Sequence, residues 1–135
     1  MRDSHGPVML TLDPFRLDSV GNLREHWAQK ARRTKHQRST VYRWLQQGYG
    51  LRCPFSVPLT ITLTRIAPRF LDATDNLPMA CKAVMDGISD YLVGEYLKGH
   101  WQDNQPGLTW IIQQRKGEPK QYMLEIMFAP PGGTE

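Results

Sequence analysis

With 135 residues the chain is long enough for one hydrophobic core and too short for two. Its apolar fraction of 40% is ordinary for a globular domain, and no apolar run has the length that crosses a bilayer, so no membrane role is expected. The net charge of +4 favours an anionic partner only weakly, and the placement of the charges says more than their sum.

Residues 1–7 carry no pattern and read as a loose end, without the long apolar stretch of a secretory signal. Val8–Leu12 is a short β-rich run stopped by Asp13-Pro14. Asn22 can cap a first helix that runs to about Gln47 and stops at Gly48-Tyr49-Gly50. Its apolar positions, Leu23, Trp27, Ala31, Val41, Trp44 and Leu45, leave a polar gap, so the helix is expected to pack at both ends and show its centre. That centre is basic. Arg24, Lys30, Arg32, Arg33, Lys35, Arg38 and Arg43 share the segment with one acid, Glu25, which reads either as a solvated face or as a surface that tracks phosphates.

Val57 to Ile66 alternates between Val57, Leu59, Ile61, Leu63 and Thr60, Thr62, Thr64, a strand with one apolar face, and Pro58 places its beginning at a sheet edge. A second helix is expected from Pro78 to Leu92, with Leu77, Cys81, Val84, Ile88 and Tyr91 as its apolar stripe and Lys82, Asp86 and Asp90 on another face. Cys81 on that stripe is a core residue. With Cys53 it forms no C-x-x-C pair, which fits a reduced, cytoplasmic setting. Residues 94–105 are irregular. Leu108–Arg115 and Gln121–Phe128 read as strands joined in a hairpin by Lys116-Gly117-Glu118-Pro119, and residues 129–135 as a second loose end. The order β-α-β-α-β-β gives a single α+β domain, residues 1–135, with a small mixed sheet packed by helices.

From the end of the second strand into the second helix the chain concentrates negative charge: Asp72, Asp75, Asp86 and Asp90 surround Asn76 and Lys82. Carboxylates so close repel unless a cation sits among them, and an all-oxygen donor set suits Mg²⁺ or Mn²⁺. A basic surface that attracts phosphate, beside an acidic site that holds a metal, is the build of a metal-dependent nuclease. Plainer roles exist for each residue: a helix cap for Asp75 or Asn76, a turn for Asp103-Asn-Gln-Pro106, an exposed ion pair for Lys82 and Asp86. Other chemistries lack their motifs. There is no G-x-S-x-G, no glycine-rich phosphate loop, and His5, His26, His36 and His100 have no zinc spacing.

Three segments carry a resemblance: Asn22-Leu-Arg-Glu-His-Trp27 with Lys35-His-Gln-Arg38; Leu71-Asp72 through Asp75-Asn76-Leu77, then Lys82 and Asp86-Gly-Ile-Ser-Asp90; and Asp103-Asn-Gln-Pro106 with Trp110 and Gln114. Together they resemble the RusA family of Holliday junction resolvases, small endonucleases of phages and prophages. The resemblance implies a RusA-like fold and a homodimer in the bacterial cytoplasm that binds four-way or branched DNA. It also implies Mg²⁺ or Mn²⁺ dependence and paired nicks in strands of like polarity. Carried over by position, Asp75 and Asp103 bind the metal, Asp72 is the third ligand, and Asp86 is a further ligand or a support. Lys82 is the catalytic lysine, and the catalytic set is Asp72, Asp75, Lys82 and Asp103. DNA contacts fall to Arg24, Lys30, Arg32, Arg33, Lys35, Arg38, Arg69, Arg115 and Lys116. The chain departs from the family pattern in three places. Ala73-Thr74 puts two residues between Asp72 and Asp75 where one is usual, Gln102 stands where a second acid is usual, and the stretch from Val93 to Trp101 is longer. The alternative is a junction-binding protein with weakened or no cleavage.

Overall fold

The computed structural model describes residues 8–17, 27–50, 58–74, 76–93 and 107–130. They form β1 (Val8–Leu12), α1 (Trp27–Tyr49), β2 (Leu59–Ala67), α2 (Asn76–Val93), β3 (Leu108–Lys116) and β4 (Met123–Ala129), the order expected from the sequence. This is a small α+β architecture with a four-stranded mixed sheet and two helices. The strands cluster in one compact unit and the helices in another. None of the described helices is long and apolar enough to cross a membrane.

The sheet order is β1-β4-β2-β3. β2 runs parallel to β3 and antiparallel to β4, which pairs antiparallel with β1. Register puts Ile61 opposite both Trp110 and Phe128, and Leu63 opposite both Ile112 and Ile126. Leu12, Ile61, Leu63, Leu124, Ile126 and Phe128 are all buried on that face. Each such side chain contributes about 2 kcal/mol when withdrawn from water.

Two expectations about these strands, the edge position of Pro58 and the hairpin, are corrected, and the threonine side of β2 is covered. β2 is an inner strand, hydrogen-bonded on both sides. Pro58 lies just outside the ladder, whose first bond is Leu59 N–H to the Gly107 carbonyl at 2.8 Å, so the missing proline donor costs nothing. The threonine face of β2 is not open: Thr62 and Thr64 are 8% and 6% exposed, and Gln113 Nε2 donates to Thr64 Oγ1 at 2.9 Å. Finally, β3 and β4 do not form a hairpin, because β2 lies between them. Gly117 N–H still bonds the Ala67 carbonyl at 2.9 Å, so the β3–β2 ladder outlasts the strand. A turn then closes from Gln121 N–H to the Glu118 carbonyl at 3.0 Å, with Lys120 at φ 64°. It delivers the chain to the β1 side, where Phe15 N–H meets the Tyr122 carbonyl and the Arg16 guanidinium lies 4.2 Å over the Tyr122 ring. β4 extends through Ala129, whose backbone pairs with Thr60, one residue into the stretch expected to be loose.

In the helical unit, α1 ends where Gly50 adopts φ 96°, a left-handed position that a glycine takes without strain, and its N–H bonds the Gln46 carbonyl at 2.8 Å. Val41 and Leu45 are buried, but Trp27 is 76% exposed, and Leu23 and Arg24 lie outside the described residues. Among the described residues the buried apolar side chains of α1, Val41 and Leu45, lie in its C-terminal half. The α2 stripe holds as expected, with Leu77, Cys81, Val84, Ile88 and Tyr91 all buried. Tyr91 meets the Tyr42 ring edge-on at 6.2 Å and donates its hydroxyl to the Gly50 carbonyl at 2.9 Å, which ties α2 to the end of α1.

The helices approach most closely at Gly87. A Cβ there would stand 2.6 Å from the Arg38 carbonyl oxygen and 3.3 Å from Val41 Cβ, so only glycine fits between two backbones. Gly87→Ala is expected to lower stability by about 1–3 kcal/mol in urea denaturation, despite alanine's better helix propensity. Two residues on, the buried Ser89 hydroxyl has no hydrogen-bond partner among the described residues. Ser89→Ala should raise stability by about 1 kcal/mol in the same assay.

Candidate functional site

Beyond β2 the chain enters the acidic loop through a set of fixed backbone contacts. Arg65, buried near the end of β2, donates through Nε to the Leu17 carbonyl at 2.8 Å. One terminal nitrogen donates to the Arg69 carbonyl at 2.7 Å and to Gln114 Oε1 at 3.2 Å. Gln114, opposite Arg65 on β3, also accepts the Leu71 N–H at 2.7 Å and returns its own Nε2 to the Leu71 carbonyl at 2.9 Å. One side-chain amide thus pairs with residue 71 as a neighbouring strand would. A polar, half-buried glutamine on a strand gave no sequence signal of this role.

Asp72 follows. Its carbonyl accepts the Leu77 N–H at 2.8 Å, one of the amides that a helix start leaves over. Its carboxylate is exposed and accepts the Thr74 hydroxyl at 3.0 and 3.3 Å. Thr74, half of the two-residue gap between Asp72 and Asp75, is therefore a hydrogen-bond partner of the first aspartate. Asp75 and Asp103, the main expected metal ligands, lie outside the described residues. Among the described residues, no three His, Cys, Asp or Glu side chains gather closely enough to hold a metal ion.

On α2 the expected ion pair forms: Lys82 Nζ lies 3.3 Å from Asp86 Oδ1, and the pair continues beyond it. Asp86 Oδ2 lies 4.0 Å from one Arg38 terminal nitrogen, and the Arg38 fork grips Asp90 at 2.6 and 2.8 Å. Lys82, Asp86, Arg38 and Asp90 make a chain of alternating charge across the two helices. The Asp90 hydrogen bonds hold the Arg38 pKa above its ordinary value, against the opposing effect of burial and with further attraction from Asp90 and Asp86. Such a half-exposed bidentate pair is worth about 1 kcal/mol. Its structural effect is to draw α1 onto α2 and give Asp86, expected as a ligand or support, two cationic neighbours.

Most of the remaining cations of α1 are exposed. The described helix, Trp27 to Tyr49, contains no Asp or Glu. Lys30, Arg32, Lys35 and Arg43 are exposed and Arg33 is half-buried. Trp27, Lys30, Ala31, Thr34, Lys35 and Arg38 line a shallow depression of about 430 Å³ along one side of the helix. In the sheet unit, Arg69, Arg115 and Lys116 are exposed, but Arg115 is engaged. Its guanidinium reaches across β2 to Glu125 on β4 at 2.8 and 3.2 Å, and that hydrogen-bonded carboxylate raises its pKa. Of the expected DNA-contacting residues, Arg38 and Arg115 thus meet protein carboxylates first. No protein-family model and no curated protein matches the sequence.

The amide clamp has a measurable signature. Gln114→Leu keeps the bulk of the side chain but leaves the Leu71 N–H and carbonyl without it. Hydrogen exchange at Leu71 should accelerate, and stability should fall by about 1–3 kcal/mol.

Proposed function

We propose that this chain is a metal-dependent endodeoxyribonuclease of the RusA type, which binds four-way or branched DNA and resolves it by paired phosphodiester hydrolysis. The observation that carries the reading lies in the helical unit. An acid-free basic helix is pinned to the helix that bears Lys82, and that helix begins directly after the Asp72 turn. Phosphate-binding charge and a candidate catalytic lysine therefore occupy neighbouring elements.

Asp72, Asp75 and Asp103 would hold Mg²⁺ or Mn²⁺, with Asp86 in support through its contact to Lys82. The donor set fits, since exposed carboxylate oxygens such as those of Asp72 suit hard divalent cations. The ion would supply an activated water and neutralise charge on the scissile phosphate. The Lys82 ammonium, held beside Asp86, would meet the phosphate as negative charge builds on it. Lys30, Arg32, Arg33 and Lys35, with Arg24, Arg69 and Lys116, hold DNA through its phosphates, with little base readout. Hydrolysis leaves a 5′-phosphate and a 3′-hydroxyl. Two copies of the chain, acting in the cytoplasm on the two continuous strands, make the paired nicks.

A second reading rests on the two-residue gap between Asp72 and Asp75 and on Gln102: a junction-binding protein that does not cut. One assay separates them. The wild-type protein with Mg²⁺ should nick a synthetic four-way junction in paired strands. Asp75→Asn and Lys82→Ala should each lower the rate by about 10²–10³-fold while binding persists. Salt-sensitive binding with no product from the wild type supports the second reading, and equal cutting by all three proteins removes both residues from the reaction. Binding itself should weaken steeply with salt, and Arg32→Gln should make the log–log slope shallower by about one.

A further inference from the structure

A groove of about 460 Å³ runs between α1 and the first turns of α2. Lys30 and Arg33 approach it from α1 and Lys82 from α2, around a floor of Pro78, Met79 and Ala83. Among the described residues no acidic side chain lines it. Lys30, Arg33, Thr34 and Gln37 recur at helical spacing, so one stripe of α1 forms a whole wall. Met79 is 47% exposed, an apolar side chain left open to solvent in a cationic surround.

We propose that this groove binds an unpaired nucleotide of a DNA strand, its phosphate on the cations and its base on the apolar floor. The inference rests on the nuclease reading above and specifies what that enzyme takes hold of. The lining is complementary to one kind of ligand. A ring of cations with a polar floor would take phosphate alone, and an apolar floor with a neutral rim would take a greasy side chain. This groove joins the two, so it fits an anion carrying a flat apolar body. The Met79 thioether suits the face of an aromatic ring. A base inside a duplex has both faces stacked and cannot enter, whereas bases at a branch point or in a single strand can. Lys82 lines the groove and also serves the proposed reaction, so a nucleotide seated here is next to the strand to be cut.

The test measures binding by the whole protein without divalent metal, so that no strand is cut. The probes are a short fluorescent single strand and the same strand with every base removed and the backbone kept. The wild type should bind the intact strand about tenfold more tightly, equivalent to about 1.4 kcal/mol. Met79→Asp, which places an acid on the floor, and Thr34→Trp, which fills the groove from an exposed helix position, should abolish that difference. Arg43→Gln, on an exposed residue that does not line the groove and is assigned no DNA contact, should keep it. Circular dichroism of each variant should match the wild type. Equal affinity of the wild type for both strands overturns the proposal. If Lys30→Glu with Arg33→Glu still weakens binding to both, the nucleic-acid reading survives that loss. Absence of binding to any DNA removes both. Displacement of the strand by a glutamate-rich peptide, with the same sensitivity to Met79→Asp, would make the groove a peptide site and overturn the proposal.

Discussion

The helical unit is organised around one steric constraint: residue 87 has no side chain. Because a Cβ there would meet the Arg38 carbonyl at 2.6 Å, glycine sets how closely α1 lies against α2. That closeness brings the Arg38 fork onto Asp90 and within reach of Asp86, and lets Tyr91 find both Tyr42 and the Gly50 carbonyl. The groove at the start of α2 is bounded by the same pair of helices. Polar contacts across the crossing are individually modest, and they add specificity to an approach that sterics and the burial of Val41, Leu45, Val84 and Ile88 already determine.

The charge arrangement follows from that approach. If Arg38 did not cross between the helices, Asp90 would lose its guanidinium partner and Asp86 would keep its pair with Lys82. With Arg38 committed there, Lys30, Arg32, Lys35 and Arg43 remain exposed, and Lys82 stands in the ion-pair chain next to the groove. One arginine thus has a structural office inside a segment whose composition gives all its arginines the same appearance. The sheet unit repeats the arrangement at Arg115, whose carboxylate partner Glu125 lies two strands away.

Local patterns were readable. The α2 stripe, the strand character of β2 and the glycine stop of α1 each depend on neighbours within a few residues, and each formed close to where the sequence placed it, although β2 is buried on both faces. Partner choice was not readable. β3 and β4 are close in sequence with a turn between them, which favours a hairpin locally, yet β2 is apolar enough to be claimed on both sides and separates them. Trp27 fits a helical stripe, but a stripe does not say what covers it. At the candidate site, the Lys82–Asp86 spacing was visible on one helix, while Arg38 to Asp90 spans 52 residues and Gln114 to Leu71 spans 43. Asp75 and Asp103 remain a reading from sequence.

The absence of acids along α1 carries a cost for the free protein. Arg32 lies one turn from Lys35, and Lys35 one turn from Arg38, so like charges crowd the same sides of a helix that is anchored mainly through Val41 and Leu45. Mutual repulsion works against this segment in dilute buffer. A polyanion lying along it removes the repulsion, and whatever relieves a folded element also steadies it. Occupancy and helical order are then thermodynamically coupled, and the resistance of α1 to melting becomes a gauge of what is bound.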